Sequence, residues 1–270
     1  MKKYSGKIVI SSLVILFAVA CAQLPITGRK QLKLLPESEL VAMSLTSYNQ
    51  FLTENEVVKN TADANKVKAA GDRISKAVTK YLEDNKYGDR VAGYNWEFNL
   101  VNDKSINAWC MPGGKVVFYS GILPVCKDET GIAVVMGHEI AHAIARHGNE
   151  RMSQGLAQQL GGIALAVAVS DKPQETQQLF AIAYGLGSQF GVMLPFSRKH
   201  ESEADEMGLY FMAMAGYDPK AAPAFWERME KSSGSSVPEF LSTHPNPETR
   251  ATNLKSWMPK AETYYNQVRN

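Results

Sequence analysis

Met136-Gly-His-Glu-Ile-Ala-His-Ala-Ile-Ala-Arg-His147 is the stretch from which the rest of this chain can be read. His138 and His142 are four residues apart, so on a helix they stand one turn above each other on the same face. Two imidazoles placed that way can reach one metal ion, and Glu139 lies beside the first. This is the His-Glu-x-x-His pattern, in which one helical turn supplies two zinc ligands and the general base for peptide-bond hydrolysis. The chain holds only 5 histidines, which makes this spacing with a Glu in place a poor candidate for coincidence. His147, nine residues past His138, is expected on nearly the opposite face of the same helix, in a structural role and away from the metal.

A catalytic zinc site needs a third protein ligand and an open position for water. The helical run from Arg198 to Ala215 carries Glu201-Ser-Glu-Ala-Asp205, where Glu201 and Asp205 share a face. Glu201 is the candidate ligand, and Asp205 is the candidate acceptor for the free ring nitrogen of His138. An acidic surface cluster is the plainer alternative. Further on, Thr243-His244-Pro245-Asn-Pro247 reads as a Pro-rich loop. His244 could stabilise an oxyanion there, cap the open metal position in a resting state, or be a loop histidine with a local partner.

Before the metal helix, Tyr94–Val101 alternates in the manner of a strand, with Trp96, Phe98 and Leu100 on one face. Ser105–Met111 is a second extended piece, Pro112-Gly113-Gly114 a turn, and Lys115–Ser120 a third strand. They predict a small, mainly antiparallel sheet. Helical patterns are expected over Pro36–Leu52, Ala62–Leu82, Asp128–Asn149, Gln174–Phe190 and the C-terminal stretch anchored by Leu254 and Trp257. Leu156–Val169 is apolar, rich in Gly and Ala, and too broken by Gln158 and Gln159 to span a bilayer, leaving a buried helix or a flap.

The chain opens with Lys2, Lys3 and Lys7, followed by the apolar run Ile8–Ala20 and then Cys21, the features of a signal peptide over residues 1–20. Ala18-Val19-Ala20-Cys21 resembles a lipoprotein box without its usual Leu, with Cys21 as the lipidated residue; plain cleavage after Ala20 is the alternative. Residues 21–35 read as a polar tether and 36–270 as one domain. The formal net charge is +2, and loss of the three signal lysines takes it to −1. Such a chain offers no electrostatic footprint for nucleic acid. Cys110 and Cys126 are expected as separate thiols, although a bridge between them is conceivable.

Taken together, Asn107–Lys115, His138-Glu139-x-x-His142, Ser197-Arg198-x-x-Glu201-x-Glu-Ala-Asp205 and His244-Pro245 with Arg250 resemble a family. It is that of the zinc metallopeptidases that include the CAAX prenyl proteases and the HtpX-, BepA- and LoiP-type bacterial proteases. The four elements occur in the family's order over nearly all of residues 35–270. The resemblance implies a compact, predominantly helical α+β gluzincin fold and one Zn2+ per chain on His138, His142 and Glu201 (not Glu203), with Glu139 as base. The CAAX and HtpX branches carry several membrane spans and the BepA branch adds helical repeats. Neither feature is found here, so the chain looks like the short lipoprotein branch. That branch implies a periplasmic peptidase anchored by lipid that degrades unfolded or misfolded proteins, and Ala22 after Cys21, where an Asp would retain a lipoprotein at the inner membrane, gives a weak preference for the outer membrane. Extended substrates would add to a strand edge near Asn107 and Ala108. A second reading is a non-cleaving or latent metal-binding factor in outer-membrane assembly, acting with an assembly or activator protein.

Overall fold

The computed structural model describes residues 21–189, 193–232, 238–244 and 249–269. The expected signal segment, and Pro245 to Glu248 of the Pro-rich loop, lie outside them. Ten helices are described in chain order: α1 (Glu37–Glu54), α2 (Ala62–Asp84), α3 (Leu123–Cys126), α4 (Glu129–Ile144), α5 (His147–Ala168), α6 (Gln174–Ser188), α7 (Leu194–Met214), α8 (Ala221–Lys231), α9 (Glu239–Thr243) and α10 (Arg250–Arg269). Six strands accompany them: β1 (Cys21–Gln23), β2 (Lys30–Leu32), β3 (Val57–Val58), β4 (Glu97–Val101), β5 (Ala108–Met111) and β6 (Lys115–Tyr119). The architecture is mostly helical α+β with a small sheet, as the sequence predicts.

The centre is α4. Every residue from Gly131 to Ile144 is buried, so the apolar positions Ile132, Val135, Met136, Ile140 and Ile144 are not one side of an amphipathic helix but part of a helix enclosed all round. Asp128 starts it by accepting a hydrogen bond from the Gly131 N–H at 2.9 Å. The four-stranded sheet, in the order β3-β4-β6-β5, is mainly antiparallel as expected, with one parallel pairing that makes it mixed. β5 and β6 form the expected hairpin around Gly113 and Gly114, both at positive φ, but β4 pairs with β6 in parallel. Alternation places Leu100, Val116 and Phe118 on the main core, while Val101 and Val117 face Tyr48 and Phe51 of α1. The sheet is thus covered on both faces, with α2 and α4 on one side and α1 on the other.

Two expectations are corrected. Residues 21–35 are not a free tether over their described length, because β1 and β2 form a two-stranded hairpin whose Leu24 is 0% exposed. Arg29 of this hairpin reaches Glu150 and Glu203 at 2.6 Å each, so buried charge and apolar contact both dock it. The helix expected over Asp128–Asn149 is two helices: Arg146 takes a left-handed conformation at φ 57, which ends α4 and redirects the chain into α5. Elsewhere Met43 is exposed although Leu40 is buried, and Cys110 and Cys126 are free thiols. The stretch Leu156–Val169 is the outer part of α5 and is not a buried helix, because Leu160, Ile163 and Val167 are 56 to 70% exposed, whereas the helix's first turns are buried.

A docked hairpin and a tether differ in what Leu24→Ala should do. Removal of a fully buried leucine costs about 2–4 kcal/mol. Urea unfolding of the mature protein should lose stability of that order, whereas a midpoint unchanged by the substitution would mean that residues 21–35 are loose in solution.

Candidate metal centre

Helix α4 presents His138 and His142 one turn apart, as their spacing predicts, and α7 crosses it to bring Glu201 opposite them. The ring nitrogens His138 Nε2 and His142 Nε2 face each other at 3.1 Å. Glu201 lies 3.4 Å from each, Oε2 toward His138 and Oε1 toward His142. His244, at the C-terminal end of α9, turns its Nδ1 to within 3.4 Å of His138 Nε2 and 3.3 Å of Glu201. Ligands that share one tetrahedral zinc at 2.0–2.1 Å stand roughly 3.3–3.4 Å from one another. Five measured separations among these four side chains fall at or near that value, and all four donors lie within 4.8 Å of one another.

The chemistry of the donor set also fits zinc. Two imidazoles and a carboxylate are a catalytic ligand set, with one further position to fill. Glu201 Oε2 and Glu139 Oε1 are buried and make no well-formed hydrogen bond among the described residues, which is costly unless a positive charge is supplied. Burial disfavours a protonated His138, yet the hydrogen bonds and charges of Asp205 and Glu201 outweigh it and raise the group to about 10. Burial, with His138 and His244 nearby, lowers His142 to about 3 against the pull of Glu201. Burial would raise the Glu201 carboxyl, but the three histidines hold it well below the usual range. The centre therefore draws in positive charge while keeping one imidazole neutral.

Around this centre the two helix histidines are held from behind. His138 Nδ1 stands 3.1 Å from Asp205 Oδ1, the outer contact expected of that residue. Asp205 in turn accepts a 2.6 Å hydrogen bond from Arg250 Nε, and Arg250 lies over the Trp226 ring at 3.8 Å. His147 does not belong to the metal group, but it is not remote either. The turn at Arg146 swings its Nδ1 to 2.9 Å from His142 Nδ1, a position a continuous helix would have denied it. Glu203 faces His147 and Arg29 and not the metal group, in keeping with the choice of Glu201. His200 stacks on His147, so all 5 histidines of the sequence meet in one cluster.

Glu139 lines a cleft of about 360 Å³ together with Trp109, Cys110, His142, Arg146 and His244. Burial raises its carboxyl, opposed by the charges of His244 and His138 and by the Cys110 N–H. Beside it β5 is an edge strand. Tyr119 N–H donates to the Asn107 carbonyl at 3.1 Å, so Asn107 is turned into the sheet. By antiparallel alternation the main-chain groups of Ala108 and Cys110 point outward. The Ala108 N–H is taken by the Asn107 side chain at 2.9 Å. Both residues expected to meet an extended chain are buried, Asn107 7% and Ala108 1% exposed, and neither lines the cleft beside Glu139.

The sequence model of Peptidase family M48 matches residues 72–258, most of the chain and all of the donors just described. The chain belongs to peptidase family M48. It is 39% identical over 174 residues to mitochondrial metalloendopeptidase OMA1 of Schizosaccharomyces pombe, covering 64% of this chain and 49% of that protein. It is 31% identical over 244 residues to the human metalloendopeptidase OMA1, covering 88% and 46%. With the beta-barrel assembly-enhancing protease of Escherichia coli it shares 33% over 194 residues, 66% of this chain and 38% of that protein. The chain therefore spans half or less of the length of these relatives.

In this M48 chain the distance between the two ligand helices is set by two glycines. A Cβ on Gly137 would meet the Gly208 carbonyl oxygen at 2.6 Å, and one on Gly208 would meet the His138 nitrogen at 2.7 Å. Backbone cannot yield as a side chain can, so Gly208→Ala must push α7 and its Glu201 away from α4. Chelator competition should find zinc affinity at least about tenfold weaker in Gly208→Ala. Gly185→Ala, where nothing lies within 4 Å of the added carbon, should match wild type. Equal affinity in all three proteins would refute the close crossing.

Proposed function

We propose that this chain is a zinc-dependent endopeptidase of the bacterial cell envelope that cleaves extended segments of unfolded or misfolded proteins. The near-tetrahedral set of His138, His142, Glu201 and His244, with Glu139 one residue from the first ligand, is the observation that carries the reading. His138, His142 and Glu201 would hold the metal, one ion per chain. Zinc bound there supplies Lewis acidity to a scissile carbonyl and brings the pKa of water toward neutrality.

Glu139 is the general base: its buried carboxylate takes a proton from the attacking water and returns it to the leaving amine. The upward shift of that carboxyl brings it closer to the pH at which such a group works. An extended substrate is proposed to lie along the edge strand β5 near Asn107 and Ala108, through main-chain carbonyls, because the Ala108 N–H is taken by the Asn107 side chain and the Cys110 N–H by Glu139. Recognition through main chain selects for extended conformation over sequence, which is why unfolded chains are the favoured substrate class.

His244 is proposed to cap the fourth position in the resting enzyme, because its Nδ1 completes the set of donors and its Nε2 stands 3.7 Å from Glu139 Oε1. It must withdraw for substrate to enter, and the same imidazole could then face the oxyanion. Cys21 is proposed as a lipidated N-terminus on the periplasmic side, with the outer membrane preferred. No described helix is long and apolar enough to cross a membrane. Because β1 begins at Cys21, a lipid there would hold the domain close to the bilayer surface. The name of the Escherichia coli relative, which refers to β-barrel assembly, supports outer-membrane proteins among the clients.

Digestion of casein by the mature protein tests the enzyme. Glu139→Gln should keep one zinc per chain and lose at least about a hundredfold in cleavage rate. Zinc binding with wild-type cleavage in that variant would remove Glu139 as base. His244→Ala should cleave several times faster than wild type if the imidazole caps the metal, and slower activity would overturn the cap.

A further inference from the structure

The cluster behind His142 ends in a residue that lies far from it in sequence and outside the stretch matched by the family. His142 offers Nε2 to the metal group, so its remaining ring nitrogen, Nδ1, carries the proton and donates it to His147 Nδ1 at 2.9 Å. That fixes the tautomer of His147: its own proton is on Nε2, which faces Glu203 Oε2 at 3.3 Å. The other oxygen of Glu203 accepts a 2.6 Å hydrogen bond from Arg29 Nε. The two terminal nitrogens of the same guanidinium fork onto Glu150 at 2.7 and 2.6 Å. Glu150 also receives His200 Nε2 at 2.9 Å, and the His200 ring stacks on His147 with centroids 4.3 Å apart.

We propose that Arg29 is a positioning residue for the metal, acting through Glu203 and His147 on the ligand His142. The inference rests on the reading of His142 as a zinc ligand. Glu150 and Glu203 have side chains only 1% and 8% exposed, so two buried carboxylates meet one guanidinium that is itself 11% exposed. Without that cation nothing holds the two buried carboxylates side by side, and Glu203 is free to turn away from His147. Glu203 then ceases to be a fixed acceptor for His147, whose ring loses the orientation in which Nδ1 can receive the proton of His142. A metal-ligating histidine whose outer partner is disturbed typically binds its metal 10–100-fold more weakly. Lysine would keep the charge but not the planar fork that serves two carboxylates at once.

The consequence reaches the N-terminus. Arg29 is carried by the β1–β2 hairpin, so docking of this hairpin and binding of the metal are coupled, and each strengthens the other by the same factor. The segment beginning at Cys21 becomes part of the metal site and not a mere leash for the domain.

Zinc dissociation constants measured by chelator competition on the mature protein test this, with circular dichroism as the check on folding. Arg29→Gln should weaken zinc binding 10–100-fold, and Arg29→Lys should recover part of the loss. In a Glu203→Gln background, Arg29→Gln should add little, because the ion pair through which Arg29 acts on Glu203 is already gone. Should Arg29→Gln fail to fold, Arg29→Lys alone should still bind zinc several-fold more weakly than wild type. Wild-type zinc affinity in a folded Arg29→Gln or Arg29→Lys protein would overturn the proposal, as would an Arg29→Gln effect that persists in full beside Glu203→Gln. His142→Ala separates the two readings: if it binds zinc as tightly as wild type, the ligand assignment itself falls.

Discussion

Three imidazoles and a carboxylate held 3.1–3.4 Å apart in the interior are the constraint on which the rest of this structure depends. Groups of this kind are normally hydrated, and placing them beside a fully enclosed α4 is unfavourable unless each has a partner. The surrounding architecture supplies those partners in three directions. From α7 come Glu201 and Asp205; from the start of α10 comes Arg250, laid over Trp226 and bonded to Asp205. From α5 and the N-terminal hairpin come His147, Glu203's companion Arg29 and the forked contact with Glu150. A metal ion held by two imidazoles and a carboxylate would complete the balance of charge at the centre.

Packing and chemistry are joined at the glycine crossing. Gly137 precedes His138, and on α7 Gly208 lies one turn beyond Asp205 and two beyond Glu201, so the point of closest backbone approach is close to where the ligands converge. Ligands on two helices in van der Waals contact are held more precisely than ligands on loops. His244 differs from the others in this respect. It stands at the end of a five-residue helix and not within the central pair, which suits a group that fills the last position at rest and leaves it for substrate. The cleft beside it is bordered by Trp109, Cys110 and Pro112 at the edge of the sheet.

How much of this was legible in the sequence depends on whether the information was local. The i,i+4 spacing placed His138 and His142 on one face because a helix period needs no tertiary knowledge. The alternation of Trp96, Phe98 and Leu100 marked β4 for the same reason, but nothing in a strand's own residues says that it will pair with β6 in parallel. Choosing Glu201 over Glu203 needed the family pattern, since both are acidic residues on one short helical stretch. His147 was misjudged in its surroundings because the left-handed turn before it is made by Arg146, a residue type that gives no hint of such a conformation. Arg29 and Gln31 sit in a short polar segment that reads as a tether, and Glu150 and the Ala145 carbonyl, to which they bond, lie more than 110 residues away. Only the fold brings them together.

X-ray absorption at the zinc edge of the mature protein measures the central claim most directly. The expected spectrum has a nitrogen and oxygen first shell, with scattering from at least two imidazoles and from a third in the resting state with His244 in place. Sulfur in the first shell at the roughly 2.3 Å typical of zinc–thiolate bonds, or a shell containing fewer than two imidazoles, would contradict the assignment of His138, His142 and Glu201 as the metal site.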